Sequence, residues 1–318
     1  MNIYKKLEKL QNQDSVCLIG HIDPDSDALA SMVVFQEFLR KHFKLKKVDI
    51  FADCETKPII FNKILENNIL NPNPIQYSAV IILDTPNLDR IGKYKSIYQQ
   101  TKNKFIIDHH ATNCISADLK IIEMCSSTCE IVFSILEYFN FKLSIKNQEK
   151  LYAGLITDTN NFTVGNFGKR TFEIAAKISE NIKVQKIYLE YLSNTSLKQM
   201  QLLSIAIQNI ESIENEQIII SYASKNDLSN LNASTEDCSV IINKLATVQG
   251  NQLTCFIYNK SNSYYVSMRA KDKYDVSKIA KINGGGGHKG AAAFLSNKTL
   301  DEIKKYIRIE FSKLLLKK

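Results

Sequence analysis

The sequence contains no tryptophan, no Cys-x-x-Cys pair and no apolar run long enough to cross a bilayer. A membrane-spanning helix needs about 20 consecutive apolar residues, so we expect no membrane association. Residues 1–13 are charged and polar, which is unlike a signal peptide. The seven cysteines are scattered, with Cys125 and Cys129 as the closest pair. This usage predicts a reduced, cytoplasmic protein.

The basic residues form no dense block. The net charge of +8 is moderate, and the lysines are spread along the chain. Such a charge permits an anionic substrate, and a general bias towards Lys and Asn in the proteome explains it equally well. With 318 residues and 44% hydrophobic content, the chain can build a sizeable core, and its length indicates two domains.

What the sequence does contain is an acidic motif directly after a short apolar run. Residues 16–19 are apolar, and residues 20–27 (GHIDPDSD) hold one histidine and three aspartates. In open α/β sheets, ligands bind at the carboxyl ends of the strands. Crowded carboxylates need a cation, and His with Asp and no thiol suits Mn²⁺ or a similar metal. Taken alone, the motif is better explained as a turn followed by a helix N-cap.

Three more segments repeat this arrangement. The apolar runs 79–83 and 105–107 end at Asp84 and at Asp108-His109-His110, and a helical segment ends at Asp158. Strands that alternate with helices indicate a parallel, doubly wound sheet, which brings three strand ends to one edge. Together the segments predict a binuclear metal site, in which ions about 3.5–4 Å apart share a bridging carboxylate.

The sequence pattern is mainly helical from residue 126 onward and changes to short strands from residue 217, which divides the chain into two domains. We predict an N-terminal α/β domain with a doubly wound, mostly parallel sheet at 1–190, a helical linker at 191–215 and a smaller C-terminal α/β domain at 216–318. An active-site cleft is expected between the two domains. The linker prediction rests on a long helical pattern at 196–213. Further strands are predicted at 48–51, 218–222, 253–258 and 264–268.

The ordered motifs GHxxPDSD, LDT, DHH, TDT and GGGGH resemble those of the DHH phosphoesterases, with a DHHA1-type second domain, from Val16 to Phe294. Their order is similar to the small oligoribonucleases that also remove the 3′-phosphate of 3′-phosphoadenosine 5′-phosphate (pAp). The resemblance implies a two-metal, Mn²⁺-dependent hydrolase acting on short RNA or DNA oligonucleotides, pAp and linear dinucleotides such as pGpG or pApA. Members are often homodimers, and the sequence leaves the oligomeric state open.

The resemblance also assigns roles to individual residues. His110 matches the second histidine of the DHH triplet, which is expected near the scissile phosphate, and Asp108 is expected to orient His109. Asp23 has no implied role beyond the turn. Mg²⁺ or Co²⁺ are the implied substitutes for Mn²⁺. The implied ligands are His21, Asp25 and Asp84 for one ion, and Asp27, Asp84, His109 and Asp158 for the other.

The glycine run at 284–287 is the second signal. Consecutive glycines let backbone N–H groups approach phosphate oxygens in an anion nest, although a bare run more often marks a flexible turn. The resemblance favours substrate binding by the glycine run. It also implies that Arg269 contacts the nucleotide. The alternative for Arg269 is a surface arginine on an edge strand without a binding role. The implied substrate-binding residues are His110, Arg269, Gly285, Gly286, Gly287 and His288.

The chain departs from the family pattern at positions that touch no implied ligand. Ser26 and Ala30 stand where glycine is usual, and Asn160-Asn161 replaces a glycine pair. Asparagine tolerates left-handed backbone angles, so the turn is expected to survive. The ending at 290–293 is also shuffled from the usual one. These changes leave the substrate preference open.

Three other functions stay open. A RecJ-like exonuclease on long single strands would carry an OB-fold domain and a dense basic stripe, and this chain has neither of them and no Trp. A cyclic-dinucleotide phosphodiesterase commonly carries membrane or sensory domains, although a form acting on the linear dinucleotide is conceivable. A non-catalytic nucleotide-binding sensor is disfavoured, because every implied ligand is present. The GGGGH motif argues against an inorganic pyrophosphatase.

Overall fold

The structure is a computed structural model that describes residues 2–54, 59–66, 68, 70–193, 195–271 and 273–316. Two compact units make up the chain, Met1–Asn194 and Thr195–Lys318. Within the ranges just given, no helix is both long enough and apolar enough to span a membrane.

The first unit is built on a five-stranded parallel sheet in the order β2-β1-β3-β4-β5. Both faces of this sheet are covered, which explains why β1 and β3 are continuous apolar runs that are buried at every position. The predicted doubly wound parallel sheet is confirmed, whereas the short edge strand β5 was not predicted. The strands are β1 (Ser15–Ile19), β2 (Lys47–Phe51), β3 (Ala79–Leu83), β4 (Asn103–Asp108) and β5 (Leu119–Ile122).

Helices pack on both faces of this sheet. Successive side chains of β1 point to opposite faces, so that Val16 and Leu18 belong to one apolar cluster and Cys17 and Ile19 to another. Two 3₁₀ helices, Ile3–Asn12 and Leu88–Tyr94, accompany the α-helices. The α-helices are α1 (Ser26–Lys41), α2 (Ile59–Leu65), α3 (Lys95–Gln100), α4 (Thr128–Tyr138), α5 (Ile145–Asp158), α6 (Lys169–Ser179) and α7 (Val184–Tyr191).

The strand order of the first sheet contains a switch point. The chain runs from β1 to β2 on one side and then crosses to β3 on the other side of β1. The loops that follow β1 and β3 therefore leave the sheet in opposite directions and open a crevice at its carboxyl edge. This topology positions the site described below.

The second unit is a mixed sheet in the order β10-β11-β9-β8-β7-β6. Its strands are β6 (Glu211–Ile213), β7 (Ile218–Ala223), β8 (Leu253–Lys260), β9 (Ser263–Ala270), β10 (Gly286–His288) and β11 (Ala291–Ser296). Its helices are α8 (Leu197–Gln208), α9 (Lys225–Asn230), α10 (Thr235–Ser239), α11 (Ile241–Leu245), α12 (Ser277–Ile282) and α13 (Leu300–Leu316).

The predicted long helix at 196–213 is wrong. α8 ends at Gln208, and residues 211–213 form β6, which pairs with β7. The apolar spacing of this segment does continue beyond α8. Asn209 nevertheless ends the helix, and its side-chain amide donates to the carbonyl oxygen of Tyr222 at 3.1 Å. A tertiary hydrogen bond to β7 therefore overrides the local helical pattern.

Candidate metal centre

Three neighbouring strands of the first sheet deliver the predicted side chains to one edge. His21 lies two residues after β1, Asp84 directly follows β3, and Asp108 is the last residue of β4. β1 pairs with β3, and β3 pairs with β4, in parallel. Their carboxyl ends therefore lie side by side, which is why residues far apart in the sequence meet here.

His21, Asp25 and Asp84 form the first group of ligand-type side chains. His21 Nε2 lies 3.8 Å from Asp25 Oδ2 and 3.7 Å from Asp84 Oδ2. His21 Nδ1 lies 2.8 Å from the carbonyl oxygen of Ile22 and 3.2 Å from Arg90 Nη2, so these contacts engage Nδ1 and Nε2 is the ring nitrogen that faces the carboxylates. Asp25 caps α1 through Oδ1, which accepts two backbone N–H groups, so Oδ2 remains available.

Asp27, His109 and Asp158 form the second group. His109 Nε2 lies 3.6 Å from Asp158 Oδ2 and 3.4 Å from Asp84 Oδ1. His21 lies near Oδ2 of Asp84 and His109 near Oδ1, so the two oxygens of one carboxylate face different imidazoles. The φ of Asp84 is 54°, a left-handed conformation that aspartate tolerates better than most residues. Asp84 therefore lies between the two groups.

The N-terminus of α4 holds both buried carboxylates. Thr128 and Cys129 donate backbone N–H groups to Asp27 Oδ2 and Oδ1 at 2.7 and 2.8 Å, and the Thr128 hydroxyl donates to Asp84 Oδ1 at 3.0 Å. A helix N-terminus carries partial positive charge, which favours carboxylates there. Gly154 of α5 packs against the same point, where a Cβ would overlap Cys129 Sγ. Thr128 and Cys129 are not among the site residues predicted from the sequence, because a backbone donor leaves no residue pattern.

Asp108 holds the ring of His110, whereas the sequence analysis expected it to orient His109. Asp108 Oδ1 accepts a hydrogen bond from His110 Nδ1 at 2.7 Å and from the backbone N–H of His109 at 3.0 Å. Its Oδ2 accepts the side-chain amide of Asn113 at 2.7 Å. The ring of His109 instead places Nδ1 3.4 Å from the carbonyl oxygen of Cys125. The expectation was wrong because adjacency in sequence does not decide which ring a carboxylate reaches.

The buried carboxylate of Glu130 in α4 holds the segment 125–129 in place through hydrogen bonds. Glu130 Oε2 accepts the hydroxyls of Ser126 and Thr171 at 2.5 and 2.9 Å. Arg170 Nε lies 3.4 Å from Glu130 Oε1. Only 1% of Glu130 is exposed, so these partners replace the water that an ionised carboxylate needs. The N–H and carbonyl groups that meet the ligand-type side chains are therefore fixed by a second, buried network.

Burial and mutual repulsion dominate the electrostatics of the carboxylates. Burial, together with the charges of Asp84 and Asp158, raises the pKa of Asp27 well above its usual value. Burial also raises the pKa of Asp158 to about 7. Burial opposes ionisation of Asp84, but its hydrogen bond to His109 and the charges of the imidazoles outweigh burial and lower its pKa. Among these three carboxylates, Asp84 is thus the one whose ionised form the surroundings favour.

The carboxylates in turn favour protonation of the imidazoles. Burial alone would lower the pKa of His109, but Asp84 and Asp27 raise it to about 10. The hydrogen bond to Asp108 raises the pKa of His110 above its ordinary value. Protons on these rings therefore offset the negative charge of the neighbouring carboxylates, which is the charge that a bound cation would neutralise.

The donor set fits a metal ion. Among the residues that the structure describes, neither Asp27 nor Asp84 forms an ion pair with Lys or Arg, although both are buried. His nitrogens and carboxylate oxygens without a thiol are the ligands of Mn²⁺-type ions. The described residues include three groups of ligand-type side chains, and within each group the ligand atoms lie within 4.8 Å of one another. The groups are His21, Asp25 and Asp84; Asp27, His109 and Asp158; and Asp84, His109 and His110.

Asp23 lies outside these groups. Its side chain is exposed, its φ is 49°, and its backbone N–H donates to the carbonyl oxygen of Asp53 at 2.7 Å. Aspartate often occupies turns in this conformation. The structure thus gives Asp23 a turn conformation, as the sequence analysis expected.

The first half of the glycine run ends a helix. Gly284, with φ 74°, donates its N–H to the carbonyl oxygen of Lys281, and Gly285 donates to that of Ala280. These two bonds form a Schellman motif at the end of α12. Neither N–H group is therefore free to line an anion nest, which the sequence analysis had predicted for the run.

The second half of the run is strand β10, antiparallel to β11. A Cβ at Gly285 or Gly287 would overlap atoms of β11, whereas Gly286 has no atom within 4 Å of that position. The backbone of the run is therefore part of a β-hairpin, which is closer to the turn that was the alternative than to an anion nest. The side chain of His288 lies outside the described part of the chain, so its assigned role stays a prediction, as do the roles of Gly285, Gly286 and Gly287.

Arg269 lies in β9 and is half-buried. Its Nε donates to Asn243 Oδ1 and its Nη1 to the carbonyl oxygen of Met268, both at 3.0 Å. Burial lowers the pKa of Arg269 below its usual value. Asn243 and the carbonyl group of Met268 are neutral, so they do not offset the charge of the guanidinium. The contact of Arg269 with a nucleotide stays a prediction.

The chain is similar in sequence or in fold to several known proteins. The bifunctional oligoribonuclease and PAP phosphatase NrnA of Bacillus subtilis is 24% identical over 279 residues, 86% of this chain and 87% of that protein. The cyclic-di-AMP phosphodiesterase GdpP of Geobacillus thermodenitrificans is 27% identical, over 95% of this chain and 48% of that protein. An exopolyphosphatase-related protein from Bacteroides fragilis has the same fold, with a TM-score of 0.88, 21% identity and coverage of 99% and 98% of the two chains.

Family models match both units. The N-terminal domain of the DHH family matches residues 15–157, and the DHHA1 domain matches residues 215–313, which together exceed half of the chain. The DHH match contains all the ligand-type residues of the centre except Asp158, which follows its last matched position. The chain therefore belongs to the DHH family of phosphoester hydrolases, with a DHH N-terminal domain followed by a DHHA1 domain.

Proposed function

We propose that the chain is a cytoplasmic, Mn²⁺-dependent hydrolase that cleaves short oligonucleotides and linear dinucleotides to mononucleotides and removes the 3′-phosphate of pAp. The observation that carries this proposal is the position of Asp84, whose two oxygens face the imidazoles of two groups of ligand-type side chains. The similarity to the Bacillus subtilis oligoribonuclease and PAP phosphatase supports the substrate class.

In this proposal the two groups hold two divalent ions, and Asp84 is common to both. His21 and Asp25 complete the first set, and Asp27, His109 and Asp158 complete the second. Such ions would supply an activated water near neutral pH and offset the charge of the phosphoryl oxygens. The protein holds its carboxylates in place beforehand through α4, so little rearrangement is needed when substrate binds.

His110 is the proposed proton donor to the leaving oxygen. Its Nδ1 is fixed to Asp108 at 2.7 Å, which leaves Nε2 as the atom that can meet the substrate. Asp108 is buried and is itself held by Asn113, so the ring has one preferred orientation. On the DHHA1 domain, we assign Arg269 and the glycine run the binding of the nucleotide phosphate.

A second candidate is hydrolysis of a cyclic dinucleotide. The similarity to the cyclic-di-AMP phosphodiesterase extends over 95% of this chain but only 48% of that protein. The shared half includes both domains of this chain, so the catalytic groups would suffice for either substrate. We favour linear substrates because the Bacillus subtilis relative is matched over 87% of its length.

The test is a Mn²⁺ activity panel with a dinucleotide, a five-residue RNA, a long single strand, pAp and a cyclic dinucleotide. Asp84→Ala should abolish turnover, because both groups lose a shared ligand. Asp23→Ala, a neighbouring acidic residue outside the groups, should leave it intact. Cleavage confined to the long strand or to the cyclic dinucleotide would overturn the proposed preference. Binding without any turnover would indicate a sensor.

A further inference from the structure

The segment that follows Asp158 has an unusual backbone. Asn160, Asn161 and Phe162 have φ values of 44°, 57° and 60°, three left-handed residues in succession. Asparagine tolerates this conformation, but for a bulky residue such as Phe162 it is an outlier. Strained conformations of this kind persist where the surroundings enforce them, and they cluster at active sites and ligand clamps.

The strained residue belongs to a cluster of three phenylalanines, which we call the aromatic platform. The rings of Phe162 and Phe172 lie 5.2 Å apart at an angle of 32°, and Phe167 meets Phe172 edge-on at 6.0 Å. Phe172, at the start of α6, remains 51% exposed, and the nearby Val164 is 52% exposed. Phe162 packs against the core of the first unit, so Phe172 is the ring of the cluster that is exposed to solvent.

Two hydrogen bonds tie this platform to the metal centre. The backbone N–H of Phe162 donates to Thr159 Oγ1 at 3.0 Å, and Thr159 directly follows Asp158. The side-chain amide of Asn166 donates to the carbonyl oxygen of Met124 at 2.8 Å, one residue before the carbonyl that faces His109 Nδ1. The platform is thus built onto the segments that carry two of the ligand-type side chains.

We propose that the platform stacks against a nucleobase of the substrate, next to the phosphate that is hydrolysed. This inference rests on the proposed function and specifies where one base binds. Every base has a π-face, so aromatic stacking holds bases without sequence preference. Phe162 lies four residues after Asp158, one of the proposed metal ligands, so the platform belongs to the segment that leaves the metal centre.

The test compares Phe172→Ala with Phe172→Tyr on a dinucleotide and on analogues that lack the base at either the 5′ or the 3′ position. We expect Phe172→Ala to raise KM for the dinucleotide roughly tenfold or more, with kcat nearly unchanged. It should leave KM unaltered for one of the two abasic analogues. Phe172→Tyr keeps the ring and should restore the wild-type KM.

Leu189→Ala is the matched control, because Leu189 is equally exposed but lies on α7, which carries none of the ligand-type side chains. Mn²⁺ titration and thermal melting verify that each variant keeps its fold and its metal. Equal KM changes on normal and abasic substrates would overturn the platform, and so would a changed oligomeric state of Phe172→Ala in sedimentation. If the wild-type protein cleaves no substrate, the proposed function fails. If it cleaves and Phe172→Ala is unaltered, only the platform fails.

Discussion

The metal centre of the first unit and the glycine run of the second were both marked by the sequence, and the structure treats them differently. Around Asp84, side chains from separate segments bring their ligand atoms close together. In the glycine run, Gly284 and Gly285 use their N–H groups to end α12, and Gly287 packs tightly against β11. A site made of side chains can be predicted from residue types, whereas a site made of backbone donors depends on which carbonyls accept them.

The first way to test this contrast is to disturb the backbone packing that supports the side-chain site. Gly154→Ala places a Cβ against Cys129 Sγ and only 3.1 Å from Asp27 Cα. Because α5 cannot approach α4 as closely, Asp27 should be displaced. We expect Mn²⁺ affinity to fall by about 100-fold, at the upper end for groups that support a ligand. Isothermal titration with Mn²⁺ measures this.

The double variant Gly154→Ala with Cys129→Ala is the control for this mechanism. It removes the sulfur that the new methyl group meets, so part of the lost affinity should return. Unchanged Mn²⁺ affinity in the single variant would contradict a close packing of α5 on Asp27. It would also show that the centre tolerates shifts of its supporting helices.

The second test concerns the buried network behind the centre. Glu130→Gln keeps the size of the side chain but places an NH₂ group or a weaker acceptor where Ser126 and Thr171 donate, and it removes the charge that Arg170 faces. The segment 125–129 should loosen, and Mn²⁺ affinity should fall by about tenfold. The readout is again Mn²⁺ titration, alongside thermal melting.

Glu137→Gln is the matched variant, because Glu137 lies on the same helix and pairs with Lys177 at the surface. Exposed pairs contribute little, so neither affinity nor stability should change measurably. A Glu130 variant that melts earlier but binds Mn²⁺ normally would assign this network to folding alone. Such a result would mean that the metal ligands keep their positions without the hydrogen bonds of Glu130.

The parts of the centre that the sequence analysis anticipated share one property. His21, Asp84 and His109 follow apolar runs within two residues, and parallel strands put such positions on one edge whatever the details of packing. What it missed acts through contacts without a pattern: the N–H groups of Thr128 and Cys129 reach Asp27 across about a hundred residues of chain. These partners depend on how α4 docks, which local residue types do not encode.

The fold shows the same division. The apolar runs of β1 and β3 were recognised because burial on both faces requires continuous hydrophobicity. The strand β6 was mistaken for a helix, because it is short and its pairing with β7 is a tertiary interaction. The strand β5 was overlooked for a similar reason, since only alternate residues are buried at the sheet edge. Local periodicity therefore predicts central elements better than peripheral ones.

The smallest effects on Mn²⁺ affinity are expected in the glycine run, where Gly286 and Gly287 offer a direct comparison. Gly287 has a φ of 136° and no room for a Cβ, so Gly287→Ala should lower the free energy of unfolding by about 3 kcal/mol. Gly286 has open space, so Gly286→Ala should change stability by less than about 0.5 kcal/mol. Neither variant should alter Mn²⁺ affinity. Denaturant unfolding and Mn²⁺ titration provide the two measurements.

The KM of Gly286→Ala decides what the run does. No contact within the described chain requires glycine at this position, so a substrate that approaches the backbone is the remaining physical reason for it. A raised KM for pAp with unchanged stability would mean that the run meets phosphate through Gly286 rather than through a nest of consecutive N–H groups. An unchanged KM would leave Arg269 as the phosphate-binding group of the second unit, and the glycines as elements of its fold.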